Sequence, residues 1–285
     1  MSADALASGK THKDENFPVG SFIIARRHRP LVMAFYRFAR CADDVADHPT
    51  TSVAERLALL DAMRATLQGE ADASPEGVEL RAMLLAHGLT IQHGLDLLEA
   101  FRRDISKRRY ADWDELMDYC RYSAAPVGRM MLDIHGEPQN TWAASDALCA
   151  ALQVINHLQD CAKDYRELDR VYLPHNELEA AGAGVENLAA PKATPALRGV
   201  IRDLAQRTQE LLARGRPLAS QIRDSRLRLE VAFIQRIAED LTRRLLAHDP
   251  LSERVHHRKL ELLGIAGLTL ARMPPGPRRH HGGVE

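Results

Sequence analysis

Apolar residues recur at spacings of three and four along most of this chain, and that period indicates amphipathic helices. The segment RPLVMAFYRFARCADDVAD at 29–47 has proline in its first turn, and SVAERLALLDAMRATL at 52–67 opens with a serine followed three residues later by glutamate, a capping box. An irregular stretch at 169–195 holds three prolines and two glycines. Further helices are predicted at 90–107, 112–134, 145–168, 196–221, 225–247 and 253–271.

The pattern predicts an all-α fold in a single domain. No segment alternates apolar and polar residues in the way that predicts a strand, and no change in composition marks a second domain. We expect the domain to span residues 13–271. Residues 1–12 are expected to form a flexible N-terminus, and residues 272–285, rich in Pro, Gly, Arg and His, a disordered tail.

Composition restricts the classes of partner. The chain has 285 residues, of which 45% are hydrophobic and 27% charged, so it is long enough and apolar enough to bury a large core. The formal net charge is −1. Bulk electrostatics therefore gives no reason to expect a nucleic-acid partner or strong attraction to an anionic membrane.

The cysteines and the apolar runs bear on location. The four cysteines are scattered without a CxxC pair, which is typical of reduced thiols in a cytoplasmic protein: Cys41, Cys120, Cys149 and Cys161. The first 17 residues lack the apolar region of a signal peptide. The longest nearly apolar run, at 262–271, is about half the length of a membrane-spanning helix. We therefore expect a cytoplasmic protein whose contact with a membrane, if it makes one, is peripheral, at the inner face.

Two helices carry polar stripes where an apolar face is expected. In CADDVAD, Asp43 and Asp47 are four residues apart and share one helix face with Tyr36 and Arg40, while Asp44 points to one side. The helix at 145–168 repeats the arrangement at spacings of three, four and four, with apolar residues between: Gln153, Asn156, Asp160 and Asp164.

One such pair has an ordinary explanation, but two in buried helices do not. With 21 aspartates in the chain, a DxxxD pair arises by chance, and we assign Asp114 and Asp118 to a solvated face. Like charges four apart disfavour a helix by about 0.2–0.5 kcal/mol even in water, and by more when desolvated. Hard divalent cations provide the compensation, and Mg²⁺ in particular binds one or two carboxylates together with phosphate oxygens. The stripes therefore predict two halves of a metal clamp for a diphosphate.

These motifs resemble the squalene/phytoene synthase family. The resemblance rests on the two DxxxD helices, on YCRYSAAPVGRMML between them and on DRVYLP after the second, and it extends over about residues 13–271. It implies an isoprenoid synthase fold, with helices around a central cavity. It also implies Mg²⁺ as cofactor and a prenyl diphosphate as substrate. The implied metal ligands are Asp43, Asp47, Asn156, Asp160 and Asp164.

The resemblance also implies the remaining site residues. Tyr119 joins the four aspartates as a catalytic residue, and the residues that contact the diphosphate or line the pocket are Tyr36, Arg40, Gln153, Asn156 and Arg254. From the residues themselves, the basic segment FRRDISKRRY can help to hold the diphosphate or can be a solvated helix end. Lys107 is our candidate from this segment, with Arg102, Arg108 and Arg109 as further possibilities.

The N-terminal motif distinguishes branches of the family. Members that condense two prenyl diphosphates carry a His/Ser-rich stretch ending in Phe, whereas this chain reads KDENFPVGS at 13–21. That form resembles the hopanoid-pathway branch, which converts presqualene diphosphate into hydroxysqualene and implies handover to other squalene-pathway enzymes. The alternatives are a squalene, dehydrosqualene or phytoene synthase that condenses two prenyl diphosphates and, from another class, a non-catalytic assembly factor of the same fold.

The carbocation chemistry that this branch implies needs a dry pocket and a final nucleophile. Small residues at 123–125 and Gly128 predict close backbone approach or room for a prenyl chain, since glycine inside a helix costs about 1 kcal/mol relative to alanine. Phe and Met at 33–38 and 130–131 can line the pocket or belong to the core. No GxGxxG follows a strand, so water rather than hydride is the expected nucleophile. No HExxH or GxSxG motif supports hydrolase chemistry.

Overall fold

A computed structural model describes residues 24–272 of the chain. Over that range the protein is helical, and the β-structure consists of a single isolated bridge between Arg109 and Val171. The helices are α1 (Arg29–Ala46), α2 (Val53–Gln68), α3 (Pro75–Ala86), α4 (Gln92–Ser106), α5 (Trp113–Ser123), α6 (Ala125–Ile134), α7 (Trp142–Leu168), α8 (His175–Ala180), α9 (Pro195–Gly215), α10 (Leu218–Gln221), α11 (Ser225–Ala247) and α12 (Lys259–Ala271).

The N-terminal helices enclose the first of two apolar cores. The buried faces of α1, α2, α3 and α4 meet there, with Phe38, Leu60 and Leu98 fully buried and Met130 of α6 reaching in. The start of α2 is fixed by Ser52, whose side chain accepts a hydrogen bond from the Glu55 amide while the Glu55 carboxylate accepts one from the Ser52 amide. This first core carries the helix with the first acidic motif.

The second core surrounds α7, the longest helix of the fold. It packs against α6, α9 and α11, and its apolar residues Ala151, Ile155 and Leu158 are buried among theirs. The second acidic motif therefore lies on a helix anchored in a different core from the first. The site described below forms where the two cores meet.

Most predicted helices are confirmed, with four differences. The last predicted helix, at 253–271, begins only at Lys259. Helix α3 was not predicted. The segment at 112–134 is two helices rather than one, because α5 ends at Ser123 and α6 restarts with Pro126 in its first turn. The segment at 196–221 is likewise divided into α9 and α10, with Pro217 immediately before α10. The stretch at 169–195 is irregular as predicted, apart from α8 and a 3₁₀ turn at Val185–Ala189.

Several other expectations from the sequence can be compared with the described residues. The four cysteines are free thiols, as predicted. Between residues 24 and 272, no helix combines the length and apolarity needed to cross a membrane. The KDENFPVGS motif, the flexible N-terminus and, apart from residue 272, the predicted disordered tail lie outside the described residues, so those predictions stay predictions.

Candidate active site

The first acidic motif lies at the C-terminal end of α1. Arg40 donates to Asp43 at 2.7 Å and to Asp44 at 2.5 Å, so one guanidinium holds two carboxylates. Asp47 is the residue that caps the helix, and its amide donates to the Asp43 carbonyl. Burial, followed by the nearby Asp47 carboxylate, raises the pKa of Asp43 to about 7, against the opposing effect of Arg40. The negative charge here exceeds what Arg40 neutralises.

The second acidic motif lies on the last turns of α7. Burial, followed by the neighbouring Asp160 carboxylate, raises the pKa of Asp164 to about 7. Asp47 raises this pKa as well, and Arg170 lowers it. Arg170 donates to Asp47, and its backbone amide donates to the Asp164 carbonyl, so the ends of α1 and α7 lie near one another at the junction of the two cores. That the two motifs share a metal ion remains a prediction.

Arg170 lies between the two motifs. Its guanidinium donates to Asp47 Oδ1 at 3.0 Å and to the backbone carbonyl of Asp104 at 3.0 Å, and the side chain is buried. A buried arginine that donates to Asp47 at the end of α1 and to the Asp104 carbonyl of α4 holds these two helices together, and it supplies the charge-assisted hydrogen bonds that a phosphate group also uses.

The backbone that carries Arg170 is set by an unusual residue. Helix α7 ends at Asp169, which has a left-handed φ of 51°, a conformation that aspartate tolerates better than most residues. Arg109 holds this turn by donating to the Asp169 carbonyl and, at 2.6 Å, to its carboxylate. The chain reverses at this point, and the Arg170 amide donates back to the Asp164 carbonyl at 3.1 Å. The reversal directs Arg170 toward the acidic residues.

A buried polar network supports the arginine. Asp104 of α4 accepts hydrogen bonds from the Tyr119 hydroxyl at 2.8 Å and the Tyr172 hydroxyl at 3.3 Å. Burial raises the pKa of Asp104 to about 6, against the opposing effects of Arg170 and of the Tyr119 hydrogen bond. The His157 ring stacks on Tyr172 with centroids 3.5 Å apart, and burial lowers its pKa to about 3, so the imidazole is neutral. The network therefore has a single strong cation, Arg170.

An apolar cavity begins beside the second motif. Its volume is about 320 Å³, and its walls come from α5 and α6, from α7 and from α11. Gln153 and Asn156 line it, and Asn156 lies one helical turn before Asp160. The α7 wall runs back to Ser145, which corresponds to about 16 Å of helix. A substrate with a diphosphate at the acidic end can therefore extend its hydrocarbon along α7.

The charge at the acidic end fits a hard divalent cation. The Asp43, Asp47 and Asp160 side chains remain 36%, 34% and 35% exposed, respectively, so their oxygens are accessible to a ligand. Two of the four carboxyls have a pKa near 7, raised first by burial and then by a neighbouring carboxylate, despite the two arginines. Among residues 24–272, no three acidic, imidazole or thiol side chains converge closely enough to hold an ion by themselves. Magnesium held by one or two carboxylates and completed by phosphate oxygens matches that donor set.

The other residues predicted to belong to the site lie in different parts of the fold. Tyr36 is half-buried on α1, on the same helix as the first motif. Tyr119 lies in the buried network rather than on the wall of the described cavity. Arg254 is exposed in the loop after α11, and His256 of the same loop is 3.9 Å from Asp160. The roles of these residues remain predictions.

The basic segment at 101–110 is largely occupied by protein partners. Lys107 is paired with Glu115 and lies over the Tyr110 ring. Arg102 is paired with Asp61, and Arg108 donates to the Leu168 carbonyl. In this structure the segment ties α4 to the end of α7. Lys107 stays a candidate ligand for the diphosphate only as a prediction.

Sequence reasoning missed Arg170 and Asp104 as individual residues. Arg170 was present in the motif DRVYLP, but a position in a loop has no helical period that shows where its side chain points. Asp104 had a weak signal, since it is a single acidic residue within the basic segment FRRDISKRRY of a helix whose other face is apolar.

Comparison with known proteins identifies the family. The model of the squalene/phytoene synthase family matches residues 10–261. The chain is 56% identical to the hydroxysqualene synthase of Zymomonas mobilis, over 95% of this chain and 92% of that protein. It is 56% identical to the hydroxysqualene synthase of Rhodopseudomonas palustris, over 92% of this chain and 90% of that protein.

A solved structure shares the fold over nearly the full length. The squalene synthase HpnC from Alicyclobacillus acidocaldarius superposes with a TM-score of 0.69 at 31% identity, over 96% of this chain and 94% of that chain. The helical fold, the facing acidic motifs and the adjoining apolar cavity define an enzyme of the prenyl-transfer class. Within that class, the chain belongs to the squalene/phytoene synthase family.

Proposed function

We propose that this protein is a hydroxysqualene synthase. It would ionise presqualene diphosphate, let the carbocation rearrange and capture it with water, releasing hydroxysqualene and diphosphate. The observation that carries the proposal is that the acidic ends of α1 and α7 lie near one another, with Arg170 bound to Asp47, and that an apolar cavity lined by Asn156 begins beside the second motif. The 51–56% identity to relatives called hydroxysqualene synthase supports this branch of the family.

The acidic end would bind and activate the leaving group. We propose that Asp43, Asp47, Asn156, Asp160 and Asp164 provide the ligands for Mg²⁺ with the diphosphate. Bound Mg²⁺ supplies Lewis-acid stabilisation of the charge that develops on the departing diphosphate. Arg40 and Arg170 hold Asp43 and Asp47 in place and would add positive charge next to the leaving oxygens.

The cavity would control the fate of the cation. Its walls are mainly aliphatic and small residues of α6, α7 and α11, so most water is excluded once the hydrocarbon fills it. Because solvent is excluded, premature capture of the cation by water is limited. The rearrangement can then finish before the carbon–oxygen bond forms. The shape of the cavity would therefore set the product.

Incubation with presqualene diphosphate and Mg²⁺ in ¹⁸O-labelled water, without NADPH, tests this function. We expect hydroxysqualene that carries the label in its hydroxyl group, together with one diphosphate per product. Farnesyl or geranylgeranyl diphosphate is offered in parallel. Condensation of these substrates, with no turnover of presqualene diphosphate, would favour the runner-up function, a squalene, dehydrosqualene or phytoene synthase.

A double variant tests whether the acidic residues perform the chemistry. In Asp160→Asn with Asp164→Asn, we expect turnover to fall by at least about 10²-fold, because two proposed metal ligands lose their charge. The matched control is Asp114→Asn, since Asp114 is exposed on α5. Full activity in the double variant would show that the acidic motifs do not serve catalysis.

A further inference from the structure

One carboxylate in the apolar cavity has no part in the diphosphate site. Glu230 lines the cavity from α11, where it shares the wall with Leu227, Val231 and Ile234, and it is only 4% exposed. Glutamate is rarely buried to this degree unless it is paired. Its position puts an acid–base group on the surface that would face the hydrocarbon.

The other groups that the described residues contribute to this wall are poor proton acceptors. Among the described residues that line the cavity, Glu230 is the only carboxylate. The one further ionisable group is the Cys149 thiol, and burial raises its pKa to about 11, so it remains protonated. Ser123, Ser145 and the amides Gln153 and Asn156 have side chains that can form hydrogen bonds but do not accept a proton at neutral pH.

The carboxylates of the acidic motifs are not placed to accept a proton inside the cavity. The side chains of Asp43, Asp47, Asp160 and Asp164 are not among the described residues that line the cavity. The cavity runs from Asn156 along α7 to Ser145, away from these aspartates. A cation centre in the hydrocarbon therefore lies nearer to groups of the cavity wall than to the diphosphate end.

Capture of the cation by water requires a proton acceptor near the cationic carbon. When a water oxygen donates its lone pair to the cationic carbon, the carbon–oxygen bond forms and the oxygen becomes a protonated alcohol, which must lose one proton to give hydroxysqualene. We propose that the Glu230 carboxylate orients this water and accepts that proton. The charge balances, since the cation and the carboxylate become a neutral alcohol and a neutral carboxylic acid. Glu230 returns its proton to solvent after the product leaves.

This proposal rests on the proposed function, and it makes a prediction about products rather than about overall rate. Without a base, the cation still forms at the acidic end. The cation can then lose a proton from a neighbouring carbon, and the product is a polyene hydrocarbon instead of an alcohol. Loss of Glu230 should therefore change the ratio of alcohol to hydrocarbon while diphosphate release continues.

Glu230→Gln is the decisive variant, because it keeps the side-chain volume and removes the proton acceptor. With presqualene diphosphate and Mg²⁺, we expect diphosphate release within about threefold of the parent, and an alcohol-to-hydrocarbon ratio at least about tenfold lower. Glu239→Gln on the same helix is the matched control, since Glu239 forms an ion pair with Arg216 outside the cavity and should leave the product ratio unchanged.

The outcomes separate this inference from the proposed function. If the parent makes labelled hydroxysqualene and Glu230→Gln gives the parental product ratio, Glu230 is not the proton acceptor. Loss of diphosphate release in Glu230→Gln would also overturn the proposal, because it would place Glu230 in the ionisation step. If the parent makes no hydroxysqualene, the proposed function fails instead. Should Glu230→Gln not fold, Glu230→Ala gives the same comparison, and added formate should raise its alcohol fraction.

Discussion

At the scale of single residues, the pKa values of the acidic motifs link stability to function. Asp43 and Asp164 both have a pKa near 7 in the folded protein, against an ordinary value of 3.8. Between about pH 4 and pH 7, the folded state therefore holds protons that the unfolded chain has released. The contribution of these groups to the free energy of unfolding is fully present below pH 4 and is lost as the pH rises through about 7.

The substitution Asp43→Asn should remove part of the loss in the free energy of unfolding that occurs as the pH rises. In metal-free buffer, we expect its melting temperature to exceed that of the parent by a few °C at pH 8, and the difference to shrink toward pH 5. A gain of about 1 kcal/mol corresponds to roughly 2–4 °C in a domain of this size. Activity should fall strongly in the same variant. Melting curves from pH 5 to pH 8 provide the measurement, with Asp114→Asn as the exposed control, for which no pH-dependent difference is expected.

Arg170 is predicted to act through its shape as well as its charge. Its guanidinium reaches Asp47 and the Asp104 carbonyl at the same time, which a lysine ammonium cannot reproduce with the same geometry. We expect Arg170→Lys to lower kcat on the order of 10²-fold with a folded protein. Arg121→Lys, at an exposed ion pair on α5, is the control. A kcat near the parental value in Arg170→Lys would show that charge alone suffices there.

At the scale of helices, Gly128 tests how closely α6 and α7 must approach. A Cβ added at this position would come within 2.5 Å of Cys149 Sγ and closer still to Ser145 Oγ, both on α7 and both lining the cavity. Gly128→Ala should therefore destabilise the fold by about 1–3 kcal/mol and narrow the cavity. Gly199→Ala on α9 is the control, because its Cβ meets nothing within 4 Å and should stabilise by about 0.5–1 kcal/mol. Thermal or denaturant melting of both variants tests the contrast.

The helices also show how far periodicity carries a prediction. The acidic stripes on α1 and α7 follow from residues four apart, and their meeting follows from charge that needs a shared ligand. Helix α3 escaped prediction because its apolar residues do not form one stripe: Leu80 and Leu84 are buried, whereas Leu85 is 80% exposed. Arg170 could not be placed, since its direction depends on the left-handed turn at Asp169 and on contacts with Asp47 and Asp104, which are distant in sequence.

At the scale of the whole molecule, the proposed active site lies between two cores, so ligands should hold the cores together. A ligand that binds only the folded state stabilises it by about 2.7 kcal/mol at a concentration of 100 Kd. For Mg²⁺ with inorganic diphosphate, that predicts a rise in melting temperature of about 5 °C or more. The rise should be greater at pH 8 than at pH 6, because Asp43 and Asp164, with pKa values near 7, must lose their protons to bind the metal.

The variant with Asp160→Asn and Asp164→Asn isolates the cause of that shift. It keeps the helices and the apolar cavity but removes two proposed ligands from the α7 side of the junction, so Mg²⁺ with diphosphate should raise its melting temperature by less than about 1 °C. EDTA should abolish the shift in the parent. An equal shift in the parent and the double variant would mean that Mg²⁺ and diphosphate bind elsewhere. In that case the two acidic motifs would approach one another only as a feature of packing, with Arg40 and Arg170 compensating part of their charge.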